Sequence, residues 1–407
     1  MGNLLLPADV VCRQRVSARR TSGGDRSVSL LSTPFLALVV SVTIATCIGT
    51  VALWNRLSGR GAAKLASRVA AIITCQVAAV VTIAALVNHS FVFFSSWSEL
   101  AGGGTGAATV GVQALDPGGK VGGFDVGNVS AATARRQGQL IFRWVAGRRS
   151  HLGTWAYVYF PPQYFAPANS HERFPVAVWL TGYPGTPGEI VRYLGLIQTM
   201  NQRVGHGTAR PTVLVVLHPT LAPPRDTECA DVPHGPQVET YLAADLPAEV
   251  RASYRVSRDR TGWALAGLST GGFCAVKVAM RHPDAYSAAV SVSGYYHAVL
   301  DTTTGSLYGG RATLRNDNDP EWLLSHRPAP PISVLVTYST DEAATAADTA
   351  RFLSLARPPM ATYRLIVPHG GHNFGVFASE MPAVVDWLAA RLVPESSMSV
   401  QALPRRR

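Results

Sequence analysis

The chain reads as an α/β fold, a mostly parallel sheet covered by helices, preceded by two transmembrane helices. Three observations predict it. Short runs rich in Val, Ile, Leu and aromatic residues alternate with helix-like segments from about Ile141 onward. One of those runs passes directly into Gly267-Leu-Ser269-Thr-Gly271-Gly272 and then into a helix-like stretch. Ahead of all this lie two long segments without a single charge.

In chain order, residues 1–29 form a basic tail carrying Arg13, Arg15, Arg19, Arg20 and Arg26. Residues 30–97 form a two-helix hairpin. Leu30 to Trp54 and Val69 to Trp97 are uncharged, and each exceeds the roughly 20 apolar residues that cross a bilayer core. Both stretches are too long for a cleavable signal peptide, and the first follows a long basic tail. The short loop between them holds Arg56, Arg60, Lys64 and Arg68, a denser cluster than the tail, whereas the segment after Trp97 has no cation until Lys120. The positive-inside rule therefore places the loop in the cytoplasm and the rest outside. The expected location is the plasma membrane, crossed twice, with the catalytic part extracytoplasmic. Residues 98–140 are glycine-rich and read as a tether.

The globular part is expected over 141–393, with strands at 141–145, 155–161, 175–182, 212–219, 263–269, 288–294, 332–340 and 362–368. The later runs are almost continuously aliphatic, as parallel strands buried on both faces must be, while the first two follow each other closely enough to be antiparallel. Residues 394–407 form a basic tail ending in three arginines.

The net charge of +11 does not indicate a nucleic-acid partner, because Ala131 to Glu395 carries 23 cations against 20 anions and the excess sits in the membrane flanks and the tail. Cys12, Cys47 and Cys75 lie in the tail or spans, leaving Cys229 and Cys274 in the globular part. In an exported domain these are expected to pair, the alternative being two buried thiols. No cysteine or histidine spacing suggests a metal, and no cofactor is required.

The chemistry begins at Ser269. A strand-to-helix turn this sharp leaves no room for side chains two residues either side of the serine, so Gly267 and Gly271 flank it and lift its hydroxyl clear of the backbone. The helix start beside it offers free amides to a developing oxyanion. The base should follow later in the chain: His372 in Pro368-His369-Gly370-Gly371-His372 is chosen over His369, since the two glycines let that loop deliver the ring. Asp341, at the tip of the strand that begins at Ile332, is the expected acid that orients it, and Glu342 is the alternative, because an error of one residue at a strand end reverses which side chain points inward. Asp317 and Asp319 are read as turn residues. The backbone amides of Thr270 and of Tyr183, in Thr181-Gly182-Tyr183-Pro184-Gly185, are the expected oxyanion donors.

Gly182-Tyr183-Pro184-Gly185, the elbow, Arg281-His-Pro-Asp284-Ala-Tyr286 leading to Ser293-Gly294, and Gly370-Gly371-His372 together resemble the putative-esterase branch of the α/β-hydrolases, which holds esterase D, feruloyl esterases and secreted mycolyltransferases. The likeness covers about Arg143 to Leu392. The whole layout, with Asp226-Thr-Glu-Cys229, Glu239-Thr-Tyr-Leu-Ala-Ala-Asp245 and Asp259-Arg-Thr-Gly-Trp263, is similar to that of actinobacterial membrane-anchored members. The resemblance implies a serine esterase acting on an ester or acyl-lipid substrate. By analogy to the mycolyltransferases it also permits acyl transfer to a sugar hydroxyl. The branch uses either Asp or Glu as acid, so Asp341 and Glu342 both stay open. A binding protein of the cell envelope without catalysis is the remaining alternative, and it would be favoured by loss of a triad residue.

Overall fold

The computed structural model describes residues 29–57, 61–91, 93–94, 97–100 and 120–393. The N-terminal tail, most of the tether and the C-terminal tail lie outside these residues.

Two antiparallel helices come first: α1, Thr33–Leu53, and α2, Ala62–Phe91. Ser32 caps α1 by accepting the Phe35 amide at 3.3 Å, and Pro34 sits in the first turn, where its missing N–H is not needed. The polar groups of this pair face each other. Thr43 Oγ1 lies 2.8 Å from Thr82 Oγ1 and donates to the Ala78 carbonyl at 3.0 Å, and Thr82 donates to the Val39 carbonyl at 3.2 Å. The bulky aliphatics Ile48, Val51, Val80 and Ile83 point outward and are exposed. This is the reverse of a helix pair built for water, where the apolar stripe is the one that is hidden.

Of the segment 98–140 expected to be a tether, the part from Lys120 carries regular structure: Lys120–Val121 pairs with Phe124–Asp125, and a helix spans Ala131–Gln137, capped by Ser130. Val121 and Ala134 are buried. The few apolar residues scattered among the glycines suffice to dock this segment onto the sheet domain.

The sheet has eight strands: β1 Gln139–Ala146, β2 Gly153–Phe160, β3 Val176–Leu180, β4 Val213–Leu217, β5 Trp263–Leu268, β6 Ala288–Val292, β7 Ser333–Ser339 and β8 Ala361–Val367. The spatial order is β1-β2-β4-β3-β5-β6-β7-β8. β1 and β2 form an antiparallel entry and β2 meets β4 antiparallel, while every other pairing is parallel. Because side chains alternate along a strand, the central strands feed two cores. Val176, Val178 and Leu180 of β3 enter one core and Ala177 and Trp179 the other. In β5, Trp263 and Leu265 are divided in the same way from Ala264, Ala266 and Leu268. That burial on both faces explains the unbroken aliphatic runs.

Register then decides where the chemistry collects. Leu180 pairs with Gly267, Leu268 with Val292, Val292 with Thr337 and Ser339 with Val367. The parallel strands β3, β5, β6, β7 and β8 therefore end at one edge, and the segments that leave them emerge side by side.

Candidate active site

Ser269 leaves β5 at that edge with φ 52° and ψ −120°, a left-handed conformation that side chains rarely adopt. The strain is imposed from both sides. Helix α3, Thr270–Arg281, starts immediately afterwards, and the Ser269 carbonyl already accepts from the Gly272 and Phe273 amides at 2.8 and 3.0 Å, while its own amide donates to the Val292 carbonyl at 2.9 Å. A Cβ on Gly267 would lie 2.2 Å from the Gly271 backbone, and one on Gly271 would lie 2.4 Å from the Leu180 and Thr181 carbonyls. Only glycine fits either position. A residue in this geometry persists because its surroundings over-determine it, which is the mark of a functional constraint.

Thr270 is the first residue of α3 and is buried, so its amide has no acceptor one turn back within the helix. The turn after β3 comes up beside the serine. A Cβ placed on Gly182 would stand 3.2 Å from Ser269 Cβ and 3.9 Å from its Oγ. The turn is braced by the Gly185 amide on the Gly182 carbonyl at 2.8 Å and by the Tyr183 hydroxyl on the Pro224 carbonyl at 2.8 Å. Gly182 is thus next to Ser269, and Tyr183, the residue expected to supply a second amide, follows it in the same turn.

Helix α4, Ala343–Leu355, follows β7, and His372 lies on the loop between β8 and α5, Phe374–Ala389. Its Nδ1 is 2.6 Å from Oε1 of Glu342, and its ring meets Phe377 edge-on at 5.0 Å. The side chain on the histidine is therefore Glu342 and not Asp341, the acid expected first. Asp341 instead accepts the Gly370 amide at 3.0 Å and lies 3.5 Å from His369, whose ring is 86% exposed. The reason is local. β7 ends at Ser339 and the chain turns at once, so strand alternation stops before either acid. The Glu342 amide bonds back to the Ser339 carbonyl at 3.1 Å, and its carboxylate folds into the sheet edge with 4% exposure. There Oε2 accepts from the Ser293 hydroxyl at 2.9 Å and from the Ser339 amide at 3.4 Å.

Ser293 carries little sequence signal beyond the Ser-Val-Ser-Gly end of β6, yet it has φ 48° and fixes the second oxygen of Glu342. Glu380 is equally quiet in the sequence, a lone acid in the apolar run Phe-Ala-Ser-Glu-Met of α5. It is buried, and that burial, reinforced by the nearby charge of Glu342, pushes its carboxyl up to about 8. Asp319 caps the helix Pro320–His326 and also accepts the Ala298 amide, and Asp317 pairs with Arg327. His297 bonds Asp348 at 3.0 Å, in a cluster with Arg351 and Glu321.

Cys229 and Cys274 are joined by a disulfide, with Cα atoms 5.7 Å apart. It ties α3 to the Asp226-Thr-Glu-Cys229 segment. Among the described residues Cys47 and Cys75 are free thiols, both within α1 and α2.

The comparisons with known proteins agree with this architecture. Over 58% of this chain, an uncharacterized protein of Corynebacterium glutamicum is 29% identical, and the match takes in 57% of that relative. Among solved structures, an S-formylglutathione hydrolase from Agrobacterium tumefaciens superposes with a TM-score of 0.52 at 15% identity, covering 62% of this chain and 95% of that one. A ferulic acid esterase superposes with a TM-score of 0.50 at 16% identity, covering 62% and 98%. At such identities the likeness shows the fold, which is that of the α/β-hydrolases. The model of the Putative esterase family matches residues 154–387, the whole stretch from β2 through the elbow and the His372 loop into α5, and the chain belongs to that family.

Proposed function

We propose that this protein is a membrane-anchored serine esterase using Ser269, His372 and Glu342, with the amides of Thr270 and Tyr183 as oxyanion donors. The observation that carries the reading is the His372–Glu342 pair, held by Ser293 and Ser339 at the same sheet edge as a strained serine in an elbow. In the proposed reaction Ser269 Oγ attacks an ester carbonyl while His372 Nε2 takes its proton. Glu342, accepting from Nδ1–H, keeps the ring's own proton on Nδ1 while Nε2 takes the one from Ser269, and it stabilises the imidazolium. The tetrahedral oxyanion forms against the two amides, then collapses. The C–O bond to the alcohol breaks, and the departing alkoxide takes the proton from His372. Water, deprotonated in turn by His372, attacks the acyl-enzyme and releases the acid and the free serine.

The anchoring half of the reading rests on α1 and α2, which are long and apolar enough to cross a membrane and turn their aliphatic side chains outward. Asn373, next to His372, donates to the carbonyl of Phe93 just past α2 at 2.8 Å. That contact favours a substrate presented close to the bilayer, such as an acyl lipid.

A fluorophosphonate probe should label the full-length protein in detergent at Ser269, and Ser269→Ala should abolish both labelling and hydrolysis of p-nitrophenyl acyl esters. Labelling retained in that variant would remove the serine from the mechanism. Product analysis with a sugar acceptor present would separate hydrolysis from acyl transfer.

A further inference from the structure

The Asp226-Thr-Glu-Cys229 segment takes no part in the mechanism above, yet all four residues are buried and two of them are strained. Glu228 and Cys229 have φ 49° and 53°, consecutive left-handed residues neither of which is glycine. Non-glycine residues rarely adopt this conformation, so the surroundings must hold the segment in place. What holds it is α3. The Cys229–Cys274 disulfide and the Lys277 ammonium, which donates to the Glu228 carbonyl at 2.7 Å, fasten the backbone to the helix. Lys277 is itself completely buried and also donates to Asn318 Oδ1 at 2.8 Å.

The side chain of Glu228 reaches the other way, toward the nucleophile. Its Oε1 accepts from the Tyr295 hydroxyl at 2.6 Å, and that hydroxyl lies 3.4 Å from Thr270 Oγ1. The Tyr295 ring stacks on Phe273 at 4.9 Å with planes 16° apart. Thr270, Phe273, Cys274 and Lys277 follow the i, i+3, i+4, i+7 pattern of one helix face, so a single stripe of α3 is gripped from its first residue through its second turn. The second oxygen of Glu228 is buried without a hydrogen-bond partner. A polar group this costly to bury has to be justified by what its other oxygen does.

We infer that Glu228 and Tyr295 are positioning residues that act through Thr270, holding the first residue of α3 so that its amide is aimed at the oxyanion. The inference rests on the esterase reading for its chemical meaning. An amide aimed in advance matters most where negative charge develops, so the loss should fall on kcat and leave KM almost alone. The disulfide and Lys277 hold the far part of the stripe. Among the described residues, the Glu228–Tyr295 bridge is what meets the Thr270 side chain.

Tyr295→Phe removes both hydroxyl contacts and keeps the ring on Phe273. Thr270→Val removes the hydroxyl and keeps the amide. Each variant is expected to lower kcat on a p-nitrophenyl ester about tenfold with KM within about twofold, and the double variant should be no worse than either single, because both cut the same link. Tyr295→Phe with kcat within about twofold of wild type, or two losses that multiply in the double variant, would overturn the inference. A readout independent of any substrate is hydrogen exchange of the 269–273 amides, expected to be about tenfold faster in Tyr295→Phe while exchange of the sheet amides is unchanged. Unchanged exchange at 269–273 would overturn the inference even if no ester were turned over. An inactive wild type that fails to label at Ser269 would instead sink the esterase reading.

Discussion

Replacing Glu342 by Gln tests the triad more sharply than deleting it would. The substitution keeps the volume of a side chain that is 4% exposed and changes one oxygen into an amide nitrogen. Which oxygen is replaced can be worked out from its surroundings. Oε2 faces the Ser339 backbone amide at 3.4 Å, a donor that cannot become an acceptor, and the Ser293 hydroxyl at 2.9 Å. The glutamine carbonyl should therefore keep that side and turn its NH2 toward His372 Nδ1, 2.6 Å away in the parent. An NH2 there can only donate, so Nδ1 must accept and the ring proton moves to Nε2, the nitrogen that has to take the proton of Ser269. A wrong tautomer of this kind costs about four orders of magnitude in kcat, or roughly 5 kcal/mol of transition-state stabilisation. Asp341→Asn retains a carbonyl for the Gly370 amide and leaves His372 alone, so kcat should fall by less than about threefold. Steady-state hydrolysis of a p-nitrophenyl ester by both variants, with thermal midpoints as a folding control, decides the matter. A larger loss in Asp341→Asn than in Glu342→Gln would refute the reasoning.

The disulfide closes a loop of 45 residues, which in the chain-entropy account corresponds to about 4 kcal/mol, so Cys229→Ser/Cys274→Ser should lower the urea midpoint accordingly, and mass spectrometry of unreduced protein should find the two peptides linked. Glu239 should make stability depend on acid pH: burial alone would raise its carboxyl, but the hydrogen bond from His282 and the charges of Lys277 and Arg281 outweigh this and hold it at about 2, below its ordinary 4.5. A depressed carboxyl stabilises the fold above its unfolded value and loses that contribution as pH falls. The stability gap between wild type and Glu239→Gln should thus be about 3 kcal/mol near neutrality and close between about pH 4.5 and 2, and a gap in urea unfolding that is constant with pH would contradict it. For topology, an alkaline phosphatase fusion at Gly118 should be active and one in the 55–68 loop inactive, and the opposite pattern would place the catalytic edge in the cytoplasm.

Much of the fold was legible because its signals are local. Eight aliphatic runs became eight strands, and the glycines around Ser269 announced a turn that nothing larger could make. The His372 loop was also readable, since its place after the last strand and its paired glycines are properties of a short segment. The docking of residues 120–137 was not legible, because Val121 and Ala134 are too few to stand out among glycines, although both are buried. Glu228, Tyr295, Ser293 and Glu380 gave no comparable signal. Each acquires its role from a partner more than 35 residues away or on another element, and no spacing rule spans that distance.

The sequence by itself determined the α/β class, the two apolar helices, the sharp turn at Ser269 and the glycine-rich His372 loop after the last strand, because periodicity, charge and glycine placement act over a few residues. Only the tertiary structure put Glu342 and not Asp341 on His372. β7 stops at Ser339, and beyond a strand end the direction of a side chain is set by what it can bond to. The Ser339 amide and the strained Ser293 hydroxyl, brought to the same edge by the parallel register of β6 and β7, draw the glutamate inward and leave the aspartate to brace the loop.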